Sequence, residues 1–169
     1  MKISIILTLL FIILLAFTAC EDIQEPLEVG TEAPSFILQS SSGAEVKLSD
    51  FSGKVLLMFF FGNGWPSCRA VAPDIESELV IPYTDRSDYA ILGLDQWNGN
   101  AASVESFKKA TDVSFPLLLD ASNVAAKYKT TYDRLIVIDK LGDIVFSGTR
   151  GAAADIDRVK EKIDDLLTE

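Results

Sequence analysis

Past the first twenty residues the chain is apolar without interruption from Val55 to Phe61, whereas most of the remaining segments alternate polar with apolar residues or repeat them at helical spacing. Such a run suits a central strand covered on both faces, where neither face can take a polar side chain. Tyr89-Ala90-Ile91-Leu92-Gly93-Leu94 predicts a second buried strand, followed by the loop Asp95-Gln96-Trp97-Asn98-Gly99-Asn100 and a helix from about Ala101 to Thr111. Between the two strands a helix is predicted from Pro66, because a missing N–H costs nothing in a first turn. Pro73 is expected to kink that helix within two turns.

The flanking segments are shorter. Phe36-Ile37-Leu38-Gln39 and Glu45-Val46-Lys47-Leu48, joined by Ser40-Ser41-Ser42-Gly43-Ala44, read as a small hairpin. Phe115-Pro116-Leu117-Leu118-Leu119-Asp120 and a short helical stretch over 122–128 precede a second hairpin. Its strands are Leu135-Ile136-Val137-Ile138 and Asp143-Ile144-Val145-Phe146-Ser147-Gly148, with Gly142 suited to a left-handed turn position. Ile156, Val159, Ile163, Leu166 and Leu167 recur at helical spacing and predict a terminal amphipathic helix. The order is hairpin, βα, βα, short helix, ββ, α, which specifies a single α/β domain.

The first residues tell a separate story. Lys2, a stretch from Ile5 to Phe17 that is apolar but for Thr8, and the small residues before Cys20 read as a secretory signal. The stretch is shorter than the roughly 18 apolar residues of a spanning helix. Phe17-Thr18-Ala19-Cys20 resembles a bacterial lipoprotein processing box, which implies a signal peptide over 1–19, lipid attachment at Cys20, a tether over 20–28 and a domain over 29–169. The expected location is the bacterial cell envelope, lipid-anchored on the periplasmic or surface side. Each buried methylene of such a lipid contributes about 0.8 kcal/mol to attachment.

Composition narrows the chemistry. The chain carries a net charge of −10, and removing Lys2 with the signal makes it −11. A polyanion partner such as nucleic acid is disfavoured, since phosphate neutralisation needs clustered Lys and Arg. Histidine is absent, which removes Ser-His-Asp and Cys-His catalysis in cis. Neither imidazole nor a cysteine cluster is available for zinc, and no metal or cofactor is expected. With Cys20 acylated, Cys68 has no intramolecular partner and must stay reduced, oxidise alone or pair with another molecule. Ser52-Gly53-Lys54 lacks the upstream glycine of a phosphate loop.

Several segments together resemble the thioredoxin fold, in its exported redoxin branch. They are Val29-Gly30-Thr31-Glu32-Ala33-Pro34-Ser35-Phe36, Leu48-Ser49-Asp50-Phe51-Ser52-Gly53-Lys54, the strand entering Trp65-Pro66-Ser67-Cys68-Arg69 with Pro73, and Ile138-Asp139-Lys140-Leu141-Gly142. That branch includes the alkyl hydroperoxide reductase/thiol-specific antioxidant family and membrane-anchored thioredoxin-like reductases. The resemblance implies a central mixed β-sheet flanked by helices, with an N-terminal β-hairpin. It also implies that Trp65 stands where a thioredoxin has its exposed nucleophilic cysteine, and Cys68 where it has the second. A tryptophan forms no mixed disulfide, so dithiol exchange by this turn alone is excluded.

Peroxiredoxins place a hydroxyl residue at the first position and the peroxide-reactive cysteine at the second, which makes Cys68 the attacking residue. Helix N-terminal N–H groups would favour its thiolate, with Arg69 adding to the field. In that family an arginine before the last hairpin assists; Arg134 falls about one residue after the expected place, where Asp133 sits, and a one-residue offset in a strand changes face. Asp133 also stands where thioredoxin-like reductases carry a cis-proline that shapes the substrate groove. Trp65, Pro66, Ser67, Gln96, Trp97 and Asp133 are the expected substrate-lining residues, since Gln96 and Trp97 lie at the carboxyl edge of a parallel strand.

Two functions follow. The first is a one-cysteine redox protein in which the Cys68 thiolate attacks a peroxide, giving a sulfenic acid that an external thiol or thioredoxin-like reductant resolves; a protein thiol is the other candidate substrate. The second is a catalytically silent lipoprotein that binds a peptide or protein through the groove around Trp65 and Trp97. In the bland alternative Cys68 is a small buried hydrophobe, Trp65 simply packs over the turn, and Met58 and the phenylalanines are core.

Overall fold

The computed structural model describes residues 27–130, 133–148 and 151–168. The signal, Cys20 and most of the tether lie outside them. The elements are β1 (Ile37–Gln39), β2 (Glu45–Lys47), β3 (Val55–Phe61), α1 (Pro66–Ile75), β4 (Tyr89–Asp95), α2 (Ala101–Thr111), β5 (Leu117–Leu118), α3 (Ser122–Lys127), β6 (Arg134–Ile138), β7 (Ile144–Ser147) and α4 (Ile156–Thr168).

β3 is central because it is apolar on both faces. The main sheet runs β5-β4-β3-β6-β7. β3 and β4 are parallel from Val55↔Tyr89 to Phe61↔Asp95, while β3 and β6 are antiparallel with Leu56↔Ile138 and Phe60↔Arg134. The sheet is therefore mixed, as the hairpin order required. Alternation along β3 divides the core in two. Val55, Leu57, Phe59 and Phe61 face α1, α2 and α4, packing with Val71, Ile75, Phe107 and Ile163. Leu56, Met58 and Phe60 face α3 and the N-terminal hairpin, packing with Phe36, Val124 and Tyr128. Each fully buried Phe or Leu contributes roughly 1.5–3 kcal/mol of transfer free energy.

The N-terminal segment closes both sheet edges. Ser41 N–H donates to the Leu117 carbonyl and Leu119 N–H to the Gln39 carbonyl, each at 2.8 Å, beside β5. At the other edge Gly30 N–H reaches the Ile144 carbonyl at 2.7 Å and Ile144 N–H reaches the Thr31 carbonyl at 2.8 Å. Satisfied edges of this kind do not template pairing with another chain. Pro73 does not end α1, which continues to Ile75; the winding changes only afterwards, to a wider π turn over Glu76–Val80.

Candidate functional site

β3 delivers its last residue, Phe61, to the turn Gly62-Asn63-Gly64, and α1 starts immediately after it. Trp65 is the N-cap residue, with extended backbone and no side-chain cap, and Pro66 opens the helix. Cys68 lies in the first turn and points back toward the sheet. Its side chain is 0 % exposed, within the cluster that holds Phe61 and Val71. Gly62 N–H donates to Sγ at 3.4 Å. Burial pushes the thiol up to about 11, outweighing the Gly62 N–H, which favours the thiolate; the charge of Asp133 pushes it further up. A low-pKa, exposed nucleophile is the opposite arrangement.

Asp133 is buried at the entry to β6, where Oδ2 accepts the Ala152 N–H at 3.0 Å. Leu135 and Val137 share the Cys68 face, whereas Ile136 and Ile138 share the other. The period of two thus settles the offset: Asp133 falls on the thiol's side and Arg134 on the opposite side. The expected partnership of Arg134 with Cys68 is corrected accordingly. Arg134 is buried, its Nη1 donates to the Lys129 carbonyl at 3.2 Å, and its Nε has no hydrogen-bond partner among the described residues. Burial lowers its pKa, while the charge of Asp155 acts in the other direction. Arg69 is also drawn away from the thiol. Its Nη2 donates to the Asn63 carbonyl at 3.0 Å, and its guanidinium lies 5.8 Å from the centre of the Phe107 ring.

The exposed part of the edge is aromatic. Trp97 is 48 % exposed, and its ring centre lies 5.1 Å from that of the half-buried Trp65 at a tilt of 54°. Such a tilted pair contributes about 0.5–1.5 kcal/mol beyond its buried area. Trp97 covers the turn backbone, so that a Cβ at Gly62 would lie 2.8 Å from its ring. Glycine is required there by close approach rather than by φ. Pro66 and Ser67 are exposed beside this pair. Gln96, in contrast, is buried, with its N–H on the Phe61 carbonyl at 3.0 Å, so it supports the edge from within instead of lining it.

Asp95 organises the whole edge. This fully buried carboxylate accepts Asn63 N–H at 3.2 Å and Trp97 N–H at 3.3 Å on Oδ1. On Oδ2 it accepts Asn63 Nδ2 at 3.0 Å and Gly99 N–H at 2.6 Å. Four donors compensate its desolvation and lock the β3 and β4 loops together. A Cβ at Gly99 would lie 2.2 Å from Asn63 Nδ2. Sequence reasoning missed Asp95, although a carboxylate ending a wholly apolar strand was the available signal. Among the described residues no group of three or more His, Cys, Asp or Glu side chains is placed to hold a metal ion.

The sequence profile of the AhpC/TSA family matches residues 29–147, spanning the opening segment, the cysteine turn and the final hairpin. The chain belongs to this family. It is 30% identical over 127 residues to the thiol-disulfide oxidoreductase ResA of Bacillus thuringiensis, covering 72% of this chain and 70% of that protein. It is 31% identical over 102 residues to the candidate peroxiredoxin bcp of Buchnera aphidicola, covering 60% and 62%. The solution structure of a candidate protein disulfide isomerase from Bacteroides thetaiotaomicron superposes with a TM-score of 0.78 at 29% identity, covering 85% of this chain and 92% of that one. The thioredoxin-like fold and the redoxin family follow. Among these relatives are proteins named for disulfide exchange and for peroxide reduction, so the choice between those chemistries rests on the geometry of this chain's own turn.

Proposed function

We propose that this AhpC/TSA-family chain is a lipid-anchored protein of the bacterial cell envelope that presents an aromatic edge beside the redoxin turn and binds an extended polypeptide there without exchanging a disulfide. One observation carries the reading. Cys68 is 0 % exposed and its thiol is pushed up to about 11, so at neutral pH it is neither accessible nor ionised. The residue three positions earlier, where a dithiol turn would present its attacking cysteine, is Trp65. What this edge offers to solvent is Trp97, half exposed and braced on Trp65 and the glycine turn. Aromatic faces of this kind supply contact area at low entropic cost.

The test is fluorescence anisotropy with a dye-labelled, unfolded polypeptide whose thiols are all alkylated, so that only non-covalent capture registers. Wild type and Cys68→Ser are expected to bind alike, and Trp97→Ala at least about tenfold more weakly, the equivalent of about 1.4 kcal/mol. Equal binding by Trp97→Ala, or none by wild type, would defeat the proposal.

A second reading keeps Cys68 as a redox thiol whose thiolate attacks a peroxide oxygen, breaking the O–O bond and releasing water or an alcohol, with the resulting sulfenic acid reduced back to the thiol by an external thiol or thioredoxin-like reductant. The Gly62 N–H aimed at Sγ favours it, because that donor stabilises a thiolate once the turn opens. Peroxide consumption by the mature chain that disappears in Cys68→Ser would establish this reading over the first.

A further inference from the structure

The end of the domain remote from Cys68 has its own surface. β3 runs from Val55 to Phe61, and the Trp65–Trp97 edge lies beyond Phe61. Leu56, near the start of β3, pairs with Ile138, and Ile138 pairs with Ile144 at the start of β7. This end is therefore five residues of strand, about 17 Å, below Phe61. The N-terminal chain enters here, since Gly30 and Thr31 both bond Ile144. Two large apolar side chains stand out into solvent at the same end, Leu141 at 88 % exposure on the tip of the β6–β7 turn and Val29 at 62 %. A cavity of about 390 Å³ opens beside Leu141, with Phe51, Leu56 and Ile138 in its wall and Lys54 and Lys140 at its rim. The neighbouring charges are mixed, because Glu32, Asp139 and Asp143 line the same opening.

We infer that this end is the membrane-facing surface of the anchored protein, with Leu141 and Val29 seated in the interface of a zwitterionic bilayer and the Trp65–Trp97 edge held outward. The inference rests on lipid attachment at Cys20, as proposed above. The seven steps from Cys20 to Leu27 span at most about 25 Å when fully extended. Inverting the domain would lift Leu27 by most of that span and leave the tether stretched, at a cost in chain entropy. The upright orientation leaves the tether slack. It also removes two exposed aliphatic side chains from water. Two lysines against three carboxylates at this opening leave a slight negative excess, in a chain of net charge −10, which fits a neutral surface and not an anionic one.

Both tryptophans of the chain sit at the far edge, which gives the test a built-in control. Lipidated mature protein, purified from bacterial membranes, is reconstituted into phosphatidylcholine vesicles whose acyl chains carry bromine as a contact quencher. The native tryptophans are expected to lose no fluorescence, whereas the Leu141→Trp variant shows an added emission that the brominated lipid quenches. Quenching of the native tryptophans would overturn the orientation. Absence of quenching in Leu141→Trp would overturn the contact, and self-association through this end would appear as emission that depends on protein concentration but not on bromine. Flotation with the vesicles, expected to be lost in Cys20→Ser, reports on the anchor separately; failure of the lipidated chain to float would refute the anchor and the orientation together.

Discussion

Alkylation of Cys68 in the folded domain is expected to be slow and to rise only at alkaline pH, and its rate can be worked out from the structure. With the thiol pushed up to about 11, the thiolate fraction at pH 7.5 is about 3 × 10⁻⁴, against roughly 0.1 for an unperturbed cysteine near 8.5. Ionisation alone therefore slows labelling about 300-fold, and the complete burial of the side chain adds the cost of opening the turn. Replacing Trp65 by Gly removes the ring that packs over the start of α1. Labelling is then expected to accelerate, because water reaching Sγ relieves the desolvation that is the main cause of the shift.

The same shift sets a pH dependence of stability. The folded state holds the thiol proton more tightly than the unfolded chain, so it binds more protons between about 8.5 and 11. Stability is complete below about 8.5 and falls as pH rises through that window, by at most about 3.4 kcal/mol. Denaturant melts of wild type and Cys68→Ala across pH 7 to 11 measure this difference; below about pH 10 the slope is expected only in wild type, and above it both proteins lose stability as the buried Tyr83, Tyr89 and Tyr128, held above their ordinary value by burial, begin to titrate in the unfolded chain. Labelling of the native protein at the rate of a free cysteine, with an apparent pKa under 8.5, would refute the reasoning and restore Cys68 as a nucleophile.

Three further outcomes are expected. Asp133→Asn keeps an acceptor for the Ala152 N–H but removes the charge that pushes the thiol up, so the alkylation pKa should drop while staying above 8.5, because burial is the larger cause; an unchanged or higher value would contradict the placement of Asp133 on the thiol's face. Gly62→Ala drives a Cβ to within 2.8 Å of the Trp97 ring, and overpacking of this kind costs about 1–3 kcal/mol, readable in urea melts together with altered tryptophan emission; a neutral substitution would mean that Trp97 does not rest on the turn. Asp95→Asn keeps one acceptor oxygen but turns an NH2 toward two of the four donors, and at about 1–3 kcal/mol for each donor left unsatisfied stability should drop by about 2–6 kcal/mol, with hydrogen exchange rising at Asn63, Trp97 and Gly99.

Much of the architecture could be read from patterning, because patterning and burial are the same physics. The apolar run from Val55 to Phe61 had to lie between two layers, and the strand, the helix from Ala101 to Thr111 and the final hairpin appear where periodicity placed them. The resemblance to redoxins rested on segments spread over the chain, and the family match spans the same stretch. Pro73 lies within α1, where Val71, Ala72 and Ile75 bury the helix face on either side of it, and the winding changes to the π turn directly after Ile75.

The site divides along the same line. Sequence alone determined that a lone thiol follows a buried strand, that Trp65 precedes it by three residues, and that no histidine can serve as its base. Its exposure was a different matter. Whether a first-turn side chain faces solvent or core depends on how the helix settles on the sheet, and only that docking put Sγ beneath the turn with Asp133 beside it and Arg134 across the sheet. Asp95 shows the same limit. A carboxylate closing an apolar strand signals a buried acceptor but not all of its donors: the Trp97 and Gly99 N–H groups lie two and four residues on in its own loop, whereas the two Asn63 donors are brought to it only by the parallel pairing of β3 with β4.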